Sequence, residues 1–152
     1  MSHQEIAHGR FAIERIYDAP PARVFAAWAD PAVKARWFVG PEGWTPIERK
    51  LDFRVGGQEL LHGRFAAKET HFLAQFHSIV VDERIVFTYD MRLSGRHHSV
   101  SLATVELTPS GRGTRLIFTE QVAFLDGTDG NEGTVSRQLG TAAHLDRLAL
   151  QL

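Results

Sequence analysis

A helix that is apolar around most of its circumference has to be enclosed, and the last stretch of this chain, Gly127 to Leu152, reads as such a helix. Projected at about 100° per residue, Leu148, Thr141, Leu152, Leu145, Ala149, Ala142, Val135, Leu139, Leu150 and Ala143 share one arc. That arc covers roughly 220°, about twice the stripe of an ordinary surface helix. Ser136, Arg147, Gly140, Gln151, His144 and Arg137 fill the remainder. Covering such a helix on more than one side calls for a curved sheet that closes around it, with space between the two.

The chain before the helix supplies that sheet. Phe11, Ile13, Arg15 and Tyr17 alternate with Ala12, Glu14 and Ile16, the period of a strand. Pro20 and Pro21 stop it, and Pro21 starts a short helix in which Val24, Phe25 and Trp28 have helical spacing. Asp30-Pro31 caps and opens a second short helix carrying Val33, Trp37 and Phe38. From Thr45 the period turns to two for about eighty residues, which predicts six strands in a meander. Ile47, Leu51 and Phe53 share a face, then Leu61 and Phe65, then Phe72, Ala74 and Phe76. Ile85, Phe87, Tyr89, Met91 and Leu93 follow in the clearest strand of all. The fold class is therefore α+β, one domain over residues 1–152, with a long terminal helix and two short helices between the first two strands.

The last strand breaks its own pattern. Leu116, Phe118, Glu120, Val122 and Phe124 share a face, so a carboxylate interrupts an apolar row. Pairing Thr108 with Gly113 sets Val105 against Leu116, Ala103 against Phe118 and Ser101 against Glu120. A three-residue loop over Ser94, Gly95 and Arg96 sets Leu93 against His97, Met91 against Ser99 and Tyr89 against Ser101. Tyr89, Ser101 and Glu120 then form a polar row across three strands, the kind of sparse polar contact that orients a molecule in an apolar cavity. The plainer reading is structural: Glu120 accepts from the neighbouring hydroxyls or pairs with Arg49. Asp146, between Val135 and Leu139 on the helix wheel, reads as half of a rim ion pair with Arg15.

Other chemistries find little support. The 152 residues include no cysteine, which excludes thiolate and disulfide chemistry, and the formal charge of -1 favours neither nucleic acid nor an anionic membrane. The opening MSHQEIAHGRF lacks the features of a secretory leader, and no apolar run reaches membrane-spanning length; a cytoplasmic location is expected. His97 and His98 point to opposite faces, and His71 and His77 lie six residues apart on one strand, so no metal site is expected. Ser94-Gly95, Ser110-Gly111 and Gly56-Gly57 sit in turns without a nucleophile elbow or a phosphate-cradling helix. No cofactor is expected. Trp28, Trp37 and Trp44 suit the core or a cavity lid.

Tyr17-Asp18-Ala19-Pro20 with Val24-Phe25, Ala27-Trp28, Asp30-Pro31 and Trp37 resembles the opening signature of a known family. It is the family named after the activator of the heat-shock-protein ATPase, within the START-like, SRPBCC helix-grip superfamily. Asp52-Phe53-Arg54-Val55-Gly56-Gly57 and Arg84-Ile85-Val86-Phe87 match further motifs, and the resemblance runs from about Phe11 to the end. One departure is Gly140-Thr141, where many members carry Gly-Trp. The resemblance implies a seven-stranded antiparallel sheet gripping the terminal helix, and a cavity that elsewhere in the superfamily holds lipids, sterols or polyketides.

Three functions are compatible with these residues. In the first, Trp37, Phe53, Leu61, Phe65, Phe76, Phe87, Met91 and Phe118 wall a cavity for a small, largely apolar molecule that Tyr89, Ser101 and Glu120 orient. In the second, a cyclase, dehydratase or hydrolase uses Glu120 as general acid or base, with Tyr89 stabilising an enolate or phenolate. In the third, the outer face bearing His71, His77, Arg84, Arg92 and Thr119 meets a protein partner.

Overall fold

The computed structural model describes residues 5–152. β1 (Ala7–Tyr17) leads through α1 (Pro21–Ala29) and α2 (Pro31–Trp37) into β2 (Trp44–Leu51), β3 (Gln58–Phe65), β4 (Lys68–Val80), β5 (Arg84–Leu93), β6 (Arg96–Ser110) and β7 (Gly113–Phe124). α3 (Gly130–Ala149) ends the chain. The strands form one antiparallel sheet in the order β1-β7-β6-β5-β4-β3-β2, so the meander of β2 to β7 closes with β1 beside the last strand. This is the α+β helix-grip arrangement, with both short helices between the first two strands.

Local chemistry sets the boundaries. Pro21 stands at the start of α1, and the Asp30 side chain caps α2 by accepting from the Ala32 N–H at 2.9 Å. Asp129 caps α3 in the same way, through the Glu132 N–H at 2.9 Å. The strand faces follow their alternation. Phe11, Ile13, Phe72, Ala74, Phe76, Ile85, Phe87, Ala103, Val105, Leu116 and Phe118 are all buried against the helical side. α1 and α2 close one end, where Trp28 meets Trp37 at 4.7 Å between ring centroids and Phe118 at 6.4 Å. Lys34 on α2 is buried there, with Nζ 2.5 Å from Glu59 on β3 and the rings of Trp28, Trp37 and Phe38 around it.

Three expectations on register need correction. The β6–β7 hairpin turns at Gly111-Arg112, pairing Ser110 with Gly113. Val105 therefore faces Phe118, and Ala103, rather than Ser101, faces Glu120. The hairpin at Ser94-Gly95 also has two residues, both at positive φ (49° and 82°) as a type I′ turn requires. Leu93 consequently pairs with Arg96, and a bulge between Met91 and Arg92 restores Met91 opposite Ser99 and Tyr89 opposite Ser101. In β2 a further irregularity between Pro46 and Glu48 leaves Ile47 half exposed rather than on the inner face.

The helix itself departs most from expectation. Its buried side chains are Leu145 and Leu148, with Gly133 closing on the sheet, while Val135 is 57% and Leu139 67% exposed. A Cβ on Gly133 would stand 2.7 Å from the Phe124 ring, so this small residue sets how closely the first turns approach β7. The helix is thus rolled about its axis relative to its hydrophobic arc, and Arg137, His144 and Arg147 point inward. His144 Nε2 and Arg147 Nη2 reach the Val39 carbonyl at 2.9 and 2.7 Å, tying the last turns to the segment after α2.

Candidate functional site

Glu120 has no exposed surface, although it belongs to the middle of β7 with only apolar neighbours on its own strand face. Its Oε2 accepts three hydrogen bonds: from the Tyr89 hydroxyl at 2.6 Å, the Ser101 hydroxyl at 2.8 Å and Arg137 Nη1 at 3.1 Å. Arg137 Nη1 also donates to Tyr89 Oη at 2.8 Å, and Nη2 to Ser99 Oγ at 2.7 Å. The guanidinium lies over the rings of Tyr89 and Phe124, with its carbon 5.5 and 5.8 Å from their centroids. Three strands and the helix therefore converge on one carboxylate.

Charge and burial act in opposite directions here. Burial alone would lower the Arg137 pKa, but the Tyr89 oxygen and the Glu120 carboxylate outweigh it and the group is held more firmly protonated. Burial pushes the Tyr89 phenol well above its ordinary value, so it stands as a hydrogen-bond donor and not as a phenolate. Glu120 Oε1 is buried and has no hydrogen-bond partner among the described residues. Such an orphaned acceptor costs about 1–3 kcal/mol.

The polar row expected from the sequence is present even though its register was not. Because β6 and β7 are displaced by two residues from the expected pairing, every side chain keeps its face, and Ser101 reaches Glu120 diagonally. The cation is different. Arg49 donates to the Phe38 carbonyl at 2.8 Å, and the Glu120 partner is Arg137 from the side of the helix whose residues are polar. Of the expected wall, Trp37, Leu61, Phe76, Phe87 and Phe118 are buried and Phe53 and Met91 are half buried. Phe53 packs on Phe25 and Phe76 with centroids 5.6 and 5.0 Å away. Phe65 is 41% exposed at the end of β3 and does not belong to that wall. Asp146 and Arg15 meet at 2.9 Å on the rim.

The space expected between sheet and helix is occupied around Glu120 by Arg137 and the rings beside it. Among the described residues, hollows open elsewhere. One, of about 320 Å³, runs between β1 and the outer side of α3 past Ile13, Arg15, Val135, Leu139 and Ala142. Another, about 360 Å³, is bounded by Arg64, Ala66, Ala67, Glu69 and Ser94.

A second cluster lies on the outer face, where reading single strands had missed it. His62 on β3 and His71 on β4 are direct cross-strand partners, with rings stacked at 3.6 Å, and Glu69 Oε2 lies 3.3 Å from His62 Nε2. The signal was the β3–β4 register, which no spacing along one strand reveals.

Comparison with known proteins places this geometry. The family model for the Activator of Hsp90 ATPase homolog 1-like protein matches residues 18–152. The Mll3558 protein of Rhizobium loti is 47% identical over 98% of this chain and 100% of its own, with a TM-score of 0.88. A protein of Rhizobium leguminosarum is 37% identical over 99% of this chain and 97% of its own, with a TM-score of 0.91. Protein CV1439 of Chromobacterium violaceum is 27% identical over 95% and 97%, with a TM-score of 0.74. No protein of curated function matches. Among the described residues no helix is long and apolar enough to cross a membrane.

Proposed function

The chain belongs to the Activator of Hsp90 ATPase homolog 1-like family, and from that premise we propose that it binds a small, largely apolar molecule bearing a hydroxyl or amine, between the sheet and α3. The observation that carries this reading is Glu120 Oε1, a carboxyl oxygen with no exposed surface and, among the described residues, no hydrogen-bond partner. A buried acceptor left open is the complement of a ligand donor, and a site built to bond a donor discriminates strongly against analogues that lack one. The rings of Phe87 and Phe118, which lie 6.5 Å apart by centroid, supply apolar contact near it.

Entry requires α3 to move. Its first half is held to the sheet by Arg137 and by the close approaches of Gly133 to Phe124 and of Thr134 to Gly9, while Val135 and Leu139 are exposed. Lifting those turns withdraws the guanidinium and opens the volume beside Tyr89 and Glu120. The C-terminal half is anchored by Leu145, Leu148 and the Val39 carbonyl contacts, which makes it the hinge end.

A ligand-observed NMR screen of small aromatic alcohols, amines and their O- or N-methylated analogues tests the reading. Donor-bearing members are expected to bind and their methylated analogues to fail. Equal binding of both sets, or of neither, would contradict it. Turnover assays on the same hits separate a binder from an enzyme that uses Glu120 as a base.

A further inference from the structure

The outer-face cluster of His62, Glu69 and His71 is independent of the interior site, since alternate residues of β3 and β4 point to opposite faces of the sheet. We propose that these three side chains bind a divalent transition-metal ion of the zinc class. Their ligand atoms lie within 4.8 Å of one another. Around tetrahedral zinc, with bonds of about 2.0–2.2 Å, ligand atoms stand roughly 3.4 Å apart. His62 Nε2 and Glu69 Oε2 are already separated by 3.3 Å. The His71 ring is stacked on His62 at an interplanar angle of 21°, so ligation requires it to turn until its lone pair converges with that of His62.

The carboxylate is oriented for this. Glu69 Oε1 accepts from Arg64 Nη2 at 2.6 Å, leaving Oε2 turned to the histidines. An ion-paired second oxygen of this kind fixes the direction of a ligating carboxylate. Part of the His62 and Glu69 side chains, 19% and 33%, is exposed, which gives an ion access from solvent. Glu48 lies opposite His62 in the register and is exposed, with one oxygen 3.5 Å from Lys50, so it could serve as a fourth oxygen only by giving up or sharing that pairing; Arg92, opposite His71, opposes the ion's charge and limits affinity. Two imidazoles and one carboxylate select zinc or copper over magnesium or calcium, which prefer all-oxygen sites.

The test is isothermal titration of the full chain with zinc chloride, in a non-coordinating buffer at about pH 7.5 where imidazoles are neutral. One equivalent is expected to bind saturably, weakened at least tenfold in both His71→Gln and His62→Gln, with magnesium chloride giving no heat. These positions lie outside the core, and unchanged thermal unfolding of the metal-free variants checks that the fold is intact. No saturable heat, wild-type affinity in either variant, or an equal response to magnesium would overturn the proposal.

Discussion

Arg137 on α3 and Glu120 on β7 form a salt bridge of 3.1 Å in which the carboxylate has no contact with water. Removing one partner of such a pair strands the other, whereas removing both need not. Arg137→Met and Glu120→Gln are each expected to destabilise the fold, the former by about 3–5 kcal/mol because it leaves a bare buried carboxylate. The double variant should lose much less than the sum. Urea unfolding of the four proteins measures this; additive losses would mean that the pair is not coupled.

Tyr89 links the same two residues, donating to Glu120 at 2.6 Å and accepting from Arg137 at 2.8 Å. Tyr89→Phe keeps the ring and removes both bonds, so a loss of about 1–3 kcal/mol is expected by chemical denaturation. A neutral substitution would place the hydroxyl outside the network.

His144 makes stability pH-dependent. Burial chiefly, with the nearby Arg147 charge, lowers its pKa to about 4. Above its unfolded value of about 6.5 both states carry neutral imidazole and the contribution is complete. As the pH falls below that, the unfolded chain takes up a proton that the native state refuses. Stability should decline by about 1.4 kcal/mol per pH unit until the folded value is reached. His144→Gln, which can still donate to Val39, should flatten this slope between about pH 4.5 and 6.5. An unchanged slope would assign it to other groups.

Thr141 lies four residues from both Arg137 and Leu145 and seven from Leu148, and so on the same side of α3. Thr141→Trp is expected to fold and to abolish binding of any donor-bearing aromatic that the wild-type chain takes up, as read by titration. Retained binding would move the ligand away from this part of the helix.

The fold was legible because the strand period persists through β2 to β7, and because proline and aspartate mark the short helices. The interior hydroxyl row was legible for a subtler reason. Both hairpin loops are shorter than expected, yet the displacement of β6 against β7 is two residues, and an even displacement leaves Tyr89, Ser101 and Glu120 on the inner face. The roll of α3 was not legible from hydrophobicity. Ranking faces by apolar content turned Val135 and Leu139 inward, whereas the buried charge of Glu120 and the close contact at Gly133 turn Arg137 inward instead. A carboxylate buried on β7 requires a cation, and Arg137, one turn from Gly133 and two from Leu145, was the signal available. The exposure of Phe65 follows from its place at the strand end, which alternation alone does not report.

The central claim is that Glu120 receives the donor of a bound apolar molecule. Titration of the wild-type chain and of Glu120→Gln with a naphthol, beside its methyl ether, tests it most directly. The account predicts saturable binding of the naphthol, at least tenfold weaker binding of the ether, and a loss of that preference in Glu120→Gln, which lacks the carboxylate. Equal affinity for alcohol and ether in the wild-type chain, or a preference that survives the substitution, would contradict it.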